Sequence, residues 1–235
     1  MKNSTAPLEW SPLKRSSTPG ICAFTVAVGS DALLDGVVHN ANWANAHGIP
    51  FLLFRKSMIR ASVHPHWEHV AVARILMRER DDCRWLMHMD ADAVVVNVER
   101  SPSTLLLLLQ ADTASNPTAP VMFVSCNSPL GSGLECDDFC CGRYATRAKR
   151  RNGCAVRTDD EGPASPYPCM INPSVFFLRN TPSGRSLLRA WEAQQDGQKQ
   201  VFGEQHSINQ LQLQQPDRIE VIGGQVMNTH SAFHA

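Results

Sequence analysis

The fold prediction begins from one stretch of thirteen residues, Trp85-Leu86-Met87-His88-Met89-Asp90-Ala91-Asp92-Ala93-Val94-Val95-Val96-Asn97. It has the character of a buried β-strand interrupted by two carboxylates. Because side chains alternate along a strand, Asp90 and Asp92 are expected on the same side of an extended segment. Ionised carboxylates in so apolar a setting are costly unless they are paired or bind a metal. The pair therefore predicts a site for a divalent cation, Mn2+ or Mg2+, and for the diphosphate that such a cation binds. The alternative is a solvated turn between two short strands.

The composition is compatible with one substantial α/β domain. The chain has 235 residues, which is long enough to bury a hydrophobic core, and its formal net charge is zero. A balanced charge gives no indication of nonspecific attraction to nucleic acid or to a membrane surface. Residues 1–20 are polar and lack the apolar stretch of a signal peptide. We expect them to form a flexible segment before a single domain over residues 21–235.

The eight cysteines are unevenly distributed. Their clustering predicts a disulfide-stapled insertion over residues 127–168, because cross-links stabilise a long loop that has little core of its own. A zinc site or free thiols are the alternatives, and the connectivity is not deducible from spacing. Disulfides would indicate an oxidising compartment. The clustered cysteines are Cys136, Cys140, Cys141, Cys154 and Cys169.

Strand-like and helix-like segments alternate along the chain. This alternation predicts an α/β fold with a mostly parallel central sheet flanked by helices. Ligands of such sheets bind beyond the carboxyl ends of the strands, where Asp90 and Asp92 are expected. The predicted strands are 21–28, 51–54, the Asp-bearing stretch, 121–125, 175–178 and 219–222, and the predicted helices are 35–47, 64–80, 101–110, a segment after Thr181-Pro182, and 203–213.

Three blocks of sequence motifs follow one another in a fixed order, and they are Asn40-x5-Ala46-His47-Gly48, then His64-Pro65-His66-Trp67, then Trp85-Leu86-x3-Asp90-Ala91-Asp92-Ala93-x3-Asn97. In order and spacing they resemble glycosyltransferase family 34, which contains galactosyltransferases, xyloglucan xylosyltransferases and α-mannosyltransferases. Two further segments extend the resemblance to about residues 21–230, and they are Asn172-Pro173-Ser174-Val175-Phe176-Phe177-Leu178-Arg179-Asn180 and Glu204-Gln205-x3-Asn209-x-Leu211.

The resemblance implies a GT-A fold and a metal-dependent transfer of a hexose or pentose, with retention of anomeric configuration. The donor would be a nucleotide-sugar, a UDP-sugar in preference to a GDP-sugar, and the acceptor a glycan or glycoconjugate. By the same resemblance Asp90 and Asp92 would contact the donor and Mn2+, or Mg2+ in its place. Asn172 would orient a sugar hydroxyl, with a loop asparagine satisfied by local hydrogen bonds as the alternative.

The remaining roles also follow from the resemblance. Glu204 and Gln205 match the family positions beside the reacting sugar, where they could stabilise an oxocarbenium-like centre, although a cap at a solvated helix start is the alternative. His230 is the candidate third metal ligand. The chain departs from the family pattern at Ser174, where the family has glycine, and at His69, which stands in place of a lysine.

Two other functions are compatible with the motif. In a haloacid-dehalogenase-like phosphatase Asp90 would be the nucleophile and Asp92 the acid/base. That class expects glycine at the position of Ala93 and a later acidic pair after an apolar strand. The third hypothesis is a noncatalytic relative that binds a sugar nucleotide or glycan. The family and the cysteines imply the Golgi or ER lumen, with a membrane link only through a segment absent from this chain, while a cytoplasmic location stays the alternative.

Overall fold

The structure is a computed structural model that describes residues 8–9, 20–29, 34–108, 119–127, 170–195 and 203–222. Within these residues seven strands and five α-helices are formed. The strands are β1 Leu8–Glu9, β2 Ile21–Val26, β3 Phe51–Phe54, β4 Trp85–Met89, β5 Met122–Asn127, β6 Met170–Arg179 and β7 Ile219–Ile222. The helices are α1 Leu34–Ala46, α2 Glu68–Glu79, α3 Pro102–Leu108, α4 Pro182–Glu192 and α5 Gly203–Gln214, and a 3-10 turn, Pro65–Trp67, precedes α2.

The seven strands form one sheet in the order β1-β3-β2-β4-β6-β5-β7. β2 pairs in parallel with β3 and β4, and β7 pairs in parallel with β5. β6 runs antiparallel to both β4 and β5, and β1 runs antiparallel to β3. Five of the seven strands therefore point in one direction, which confirms the prediction of a mostly parallel, helix-flanked α/β sheet.

Helices cover both faces of the sheet. On one face, α2, α4 and α5 pack their apolar side chains, including Leu76, Trp191 and Ile208, against Phe24 and Phe176 of the strands. On the other face, α1 and α3 form a second core cluster with the alternate strand residues. Both clusters are buried, and each strand side chain enters one or the other by the alternation of the pleat.

Local signals fix the ends of these elements. α1 is followed by Gly48 with φ of +67°, a conformation that side chains other than glycine rarely adopt. The Thr181 hydroxyl accepts a hydrogen bond from the Gly184 amide at 3.2 Å, and Pro182 occupies the first turn of α4. The single helix predicted over 64–80 is instead a 3-10 turn followed by α2. Pro65 stands at its start, because the missing amide costs nothing in a first turn.

A disulfide joins Cys22 of β2 to Cys83, two residues before β4. Both cysteines are fully buried, so the cross-link lies inside the core and beneath the sheet's central pair of strands. The cysteines of the predicted insertion and most of segment 1–20 lie outside the described residues. Among the residues that the structure describes, none belongs to a helix long and apolar enough to cross a membrane.

Candidate active site at the carboxyl end of the central strand

The two aspartates follow β4, the central strand, at its carboxyl end. β4 ends at Met89, and Ala93 donates a backbone hydrogen bond to the Asp90 carbonyl at 3.1 Å, which closes a turn. The prediction that both carboxylates lie on one extended strand is therefore wrong at this point. The turn leaves Asp92 exposed and the Asp90 side chain 39% exposed. Both aspartates still lie at the carboxyl end of the parallel strands, where sheets of this kind bind their ligands.

Helix α1 holds the loop that carries Asp92. The Asn40 side chain, which is fully buried, donates to the Ala93 carbonyl at 2.6 Å and accepts from the Val95 amide at 3.0 Å. The His39 ring bonds to the Val95 carbonyl at 2.8 Å. These contacts satisfy backbone groups that a loop cannot pair internally, so α1 fixes the position of the Asp-bearing turn.

Strand β6 closes the other side of Asp90. The Asp90 amide donates to the Ser174 carbonyl at 2.8 Å. The Asn172 side-chain oxygen accepts from the Ser174 amide at 3.0 Å and from its hydroxyl at 2.6 Å. The Ser174 side chain also lies close enough to the Asp90 carboxylate to lower its pKa. Asn172, predicted to orient a sugar, is thus linked to Asp90 through Ser174.

Two buried imidazoles lie next to Asp90. Nε2 of His88 is 3.5 Å from the Asp90 carboxylate, and the His69 and His88 rings stack with centroids 4.7 Å apart. Burial, and then the neighbouring His88, lower the pKa of His69 well below its usual range. Burial lowers the pKa of His88 to about 3. Both rings are therefore neutral near pH 7, so His69 supplies no cation in place of the family lysine.

A charged pair forms the next layer of the site. Nδ1 of His66 lies 3.6 Å from Oε1 of Glu204. The Glu204 carboxylate raises the pKa of His66. Burial acts to raise the pKa of Glu204, but the adjoining His66 outweighs it and the pKa is lowered. The pair therefore favours the protonated form of His66, whose side chain remains 38% exposed.

The start of α5 is buried, not solvated. Glu204 is 5% exposed and Gln205 is 7% exposed. Within the described residues, the Glu204 Oε2 and Gln205 Nε2 atoms are buried without a hydrogen-bond partner. Unsatisfied buried polar atoms are rare in proteins and call for an explanation such as a ligand. The alternative of a capping residue at an exposed helix start is therefore excluded.

Asp90 connects these groups electrostatically. Burial raises the pKa of Asp90 to about 7, and the negative charges of Asp92 and Glu204 act in the same direction. His66 lies close enough to lower that pKa, and Asp90 raises the pKa of His66 in return. Asp90, Glu204 and His66 therefore form one interacting cluster, although Asp90 and Glu204 are 114 positions apart in sequence.

The sequence-predicted residues meet this site to different degrees. Asp90 and Glu204 share the cluster, and Gln205 follows Glu204 in the same buried turn. Asn172 contacts Ser174, whose backbone carbonyl accepts from the Asp90 amide, and Asp92 is exposed in the turn. His230 lies outside the described residues.

Sequence reasoning missed the roles of His66, His69 and His88. The sequence contained one indication of the His88–Asp90 contact. His88 stands two positions before Asp90, and residues two apart on a strand point to the same face of the sheet. Nothing in the sequence pairs His66 with Glu204, because that contact joins the turn before α2 to the start of α5.

Comparison with known proteins supports the fold. No protein-family model and no curated protein matches the chain. Among solved structures, a glycosyltransferase involved in the glycosylation of the major capsid of PBCV-1 aligns with a TM-score of 0.57 and 12% identity, over 88% of this chain and 82% of that one. Mouse xyloside xylosyltransferase 1 aligns with a TM-score of 0.40 and 11% identity, over 86% of this chain and 72% of that one. A 4-diphosphocytidyl-2C-methyl-D-erythritol synthase from Anaerococcus prevotii has a TM-score of 0.40 and 9% identity, over 86% of each chain.

The first of these structures defines the class of fold. At 12% identity, its likeness establishes a shared architecture, while the two neighbours at 0.40 are too distant to support an argument. The chain has the GT-A type of glycosyltransferase fold, with the candidate site at the carboxyl end of its central strand. A shared fold does not by itself fix a reaction, so the chemistry has to come from the site.

Proposed function

We propose that this chain is a metal-dependent, retaining glycosyltransferase that moves a hexose or pentose from a nucleotide-sugar to a glycan or glycoconjugate. The observation that carries the proposal is the cluster of Asp90, Glu204 and His66 at the carboxyl end of β4, on a fold of the GT-A type. Carboxylates can bind a metal cation and can stabilise the positive charge that develops on the sugar. A protonated imidazole can stabilise the negative charge of the diphosphate.

The residues around the turn fit a divalent cation. Asp90 and Asp92 supply oxygen ligands, and the adjacent His69 and His88 Nε2 atoms are buried without a partner among the described residues. His230 is the proposed further ligand. When bound, Mn2+ or Mg2+ would neutralise charge on the departing nucleoside diphosphate. The sequence resemblance favours a UDP-sugar as donor.

Glu204 and Gln205 are the proposed catalytic residues. The Glu204 carboxylate is held ionised by His66, so it can stabilise positive charge that develops at the anomeric carbon as the diphosphate leaves. The side-chain amide oxygen of Gln205 can face the same developing charge, and its amide nitrogen is buried without a hydrogen-bond partner in the described part of the chain. His66, which is partly exposed beside them, is placed to contact an anionic group of the donor.

Family membership and location are further parts of this proposal. The ordered motifs favour glycosyltransferase family 34, and the buried Cys22–Cys83 disulfide favours an oxidising compartment such as the Golgi or ER lumen. The phosphatase alternative gains no support, because the later acidic pairs that the sequence offers, Asp137-Asp138 and Asp159-Asp160, lie outside the described residues.

The test is a panel of nucleotide-sugars incubated with the full chain, with Mn2+ present and absent, in which release of nucleoside diphosphate is measured. We expect Mn2+-dependent release from one donor class. Asp92→Asn is the matched variant, because it keeps the volume and removes a charged ligand, and it should abolish Mn2+-dependent nucleotide binding. Nucleotide-sugar binding without any release would instead indicate the noncatalytic relative, and unchanged affinity in Asp92→Asn would contradict the metal assignment.

A further inference from the structure

We infer that His69, His88 and Asp90 form a three-ligand centre for a transition-metal dication of the kind that imidazole binds, such as Zn2+ or Co2+. One ligand atom from each residue lies within 4.8 Å of the others. The inference concerns binding alone, and it stands whether or not the chain transfers a sugar.

The first independent observation is the pair of unpartnered nitrogens. The Nε2 atoms of His69 and His88 are buried, and neither has a hydrogen-bond partner within the described part of the chain. Leaving a buried polar atom unpaired costs about 1–3 kcal/mol. Two such atoms on adjacent rings, one of them 3.5 Å from the Asp90 carboxylate, indicate a ligand that takes their lone pairs.

The second observation is the orientation of the His88 ring. Its Nδ1 lies 3.2 Å from the Pro173 carbonyl. A carbonyl can only accept, so Nδ1 carries the proton and Nε2 presents its lone pair towards Asp90. Metal-ligating histidines almost always donate their other nitrogen in this way. The hydrogen bond from His88 Nδ1 to the Pro173 carbonyl is therefore the kind of contact that orients a metal-binding histidine.

The surrounding packing fixes both rings. His88 lies 5.0 Å from Phe24 and 5.0 Å from Phe176, measured between ring centroids. His69 lies 5.5 Å from Trp191. The backbone amide of Asp90 is tied to β6. Metal ligands that are held on rigid elements keep their relative positions even when no cation is bound.

The distances leave room for an ion. Zn2+ binds nitrogen and oxygen at about 2.0–2.2 Å in tetrahedral geometry, so its ligand atoms lie about 3.4 Å apart. The His88–Asp90 distance of 3.5 Å already matches this value. Because the Asp90 side chain is 39% exposed, one side of the ion would face solvent and could accept a water molecule.

The ligand chemistry predicts selectivity. Two imidazoles and a carboxylate suit Zn2+, Co2+, Ni2+ or Cu2+, whereas Mg2+ and Ca2+ prefer oxygen ligands. The centre therefore differs from an all-oxygen site at Asp90 and Asp92. The Asp92 carboxylate is not required for it.

The test is calorimetric and spectroscopic titration of the chelator-treated full chain with Co2+ alone. We expect one equivalent to bind and to give visible d–d absorption with imidazole ligation. Each of His69→Phe and His88→Gln should weaken binding by at least about tenfold. His69→Phe keeps an aromatic ring against Trp191, so it separates loss of a ligand from loss of packing. His206→Gln, on the exposed face of α5, is the control and should bind Co2+ normally.

Two outcomes would overturn the centre. The first is Co2+ affinity unchanged in His69→Phe, provided that its circular dichroism is that of the wild type. The second is binding that is lost in Asp92→Asn but kept in His88→Gln, which would place the ion between the aspartates. Neither result depends on the nucleotide-sugar panel, so failure of this inference and failure of the proposed transferase activity are distinguishable.

Discussion

At the scale of single residues, Glu204 illustrates how the environment gives an ordinary side chain a special state. A glutamate in the first turn of a helix is usually a solvated partner of the helix dipole. Here it is buried and contacts His66, and the end of its carboxylate has one unpartnered oxygen. The Trp191 indole holds the Glu204 backbone carbonyl at 2.9 Å. The contacts with His66 and Trp191 therefore hold Glu204 and its carboxylate in a fixed position.

We predict that Glu204→Gln and Gln205→Ala each lower turnover by about 100-fold or more while changing donor affinity much less. In the proposed function both act on charge that develops only as the diphosphate leaves, so their loss should appear in kcat rather than in ground-state binding. Steady-state kinetics, donor titration and melting temperature should be measured on the same preparations. Wild-type turnover accompanied by a lower melting temperature would assign both residues a purely structural role.

The His66–Glu204 pair also predicts a pH dependence of stability. Because the pKa of His66 is raised in the folded state, the imidazolium adds stability that is complete below the unfolded pKa of about 6.5 and is lost as pH rises through the folded pKa. With His66 partly exposed, the effect should be about 0.5 kcal/mol.

The measurement is urea unfolding of wild type and His66→Gln at pH 6 and pH 8.5. We expect the variant to be less stable than wild type at pH 6, with a smaller difference at pH 8.5. His206→Gln provides the matched exposed control. An equal difference at both pH values would show that the ion pair contributes nothing to folding.

At the scale of elements, α1 acts as the support of the Asp-bearing loop. Two of its side chains bond to that loop, Asn40 to Ala93 and Val95 and His39 to Val95. His47, one residue after the helix, bonds to the Val98 carbonyl at 2.8 Å. Trp43 adds a bond to the Arg100 carbonyl at 3.2 Å. A helix on one face of the sheet thus determines the shape of a loop at its carboxyl edge.

We predict that Asn40→Ala destabilises the protein by about 1–3 kcal/mol, because it leaves the Ala93 carbonyl and the Val95 amide without their buried partner. It should also weaken metal-dependent nucleotide binding, since Asp92 lies within the loosened turn. Asn42→Ala, an exposed asparagine on the same helix, is the control and should change neither property. Thermal unfolding and nucleotide titration of the two variants give the comparison.

At the scale of the whole molecule, the Cys22–Cys83 disulfide closes a long loop across the core. It spans 61 positions, a segment that contains α1, β3 and α2. The cross-link thus joins β2 to the residues just before β4 and reduces the number of conformations open to the unfolded chain. Removing such a constraint raises the entropy of the unfolded state in proportion to the logarithm of loop length.

We predict that the double variant Cys22→Ala/Cys83→Ala loses about 4 kcal/mol of unfolding free energy, as the loop-closure relation gives for this length. Urea unfolding of oxidised wild type and of the variant measures the loss. Reduced wild type serves as the control, because it should approach the variant. Equal stability of all three forms would mean that the bond adds nothing to the fold.

The order and type of elements were predictable from sequence because they depend on local patterns. The apolar segments at 21–28, 51–54 and 219–222 match β2, β3 and β7 closely. Gly48 and Thr181-Pro182 correctly marked helix ends, since their backbone preferences are local. The extension of β4 through Asp92 failed, because hydrogen bonds from α1 and β6 turn the chain after Met89.

The α/β class, the candidate carboxylate Asp90 and the acidic helix start at Glu204 could be predicted from the sequence, because each is expressed in periodicity or in an ordered motif. The contacts of Glu204 with His66 and of His69 with His88 beside Asp90 could not. They join residues from the 3-10 turn before α2, from α2, from β4 and from α5, and the neutral state of His69 and His88 follows from burial. Burial and long-range contact belong to the packed chain, so no local pattern records them.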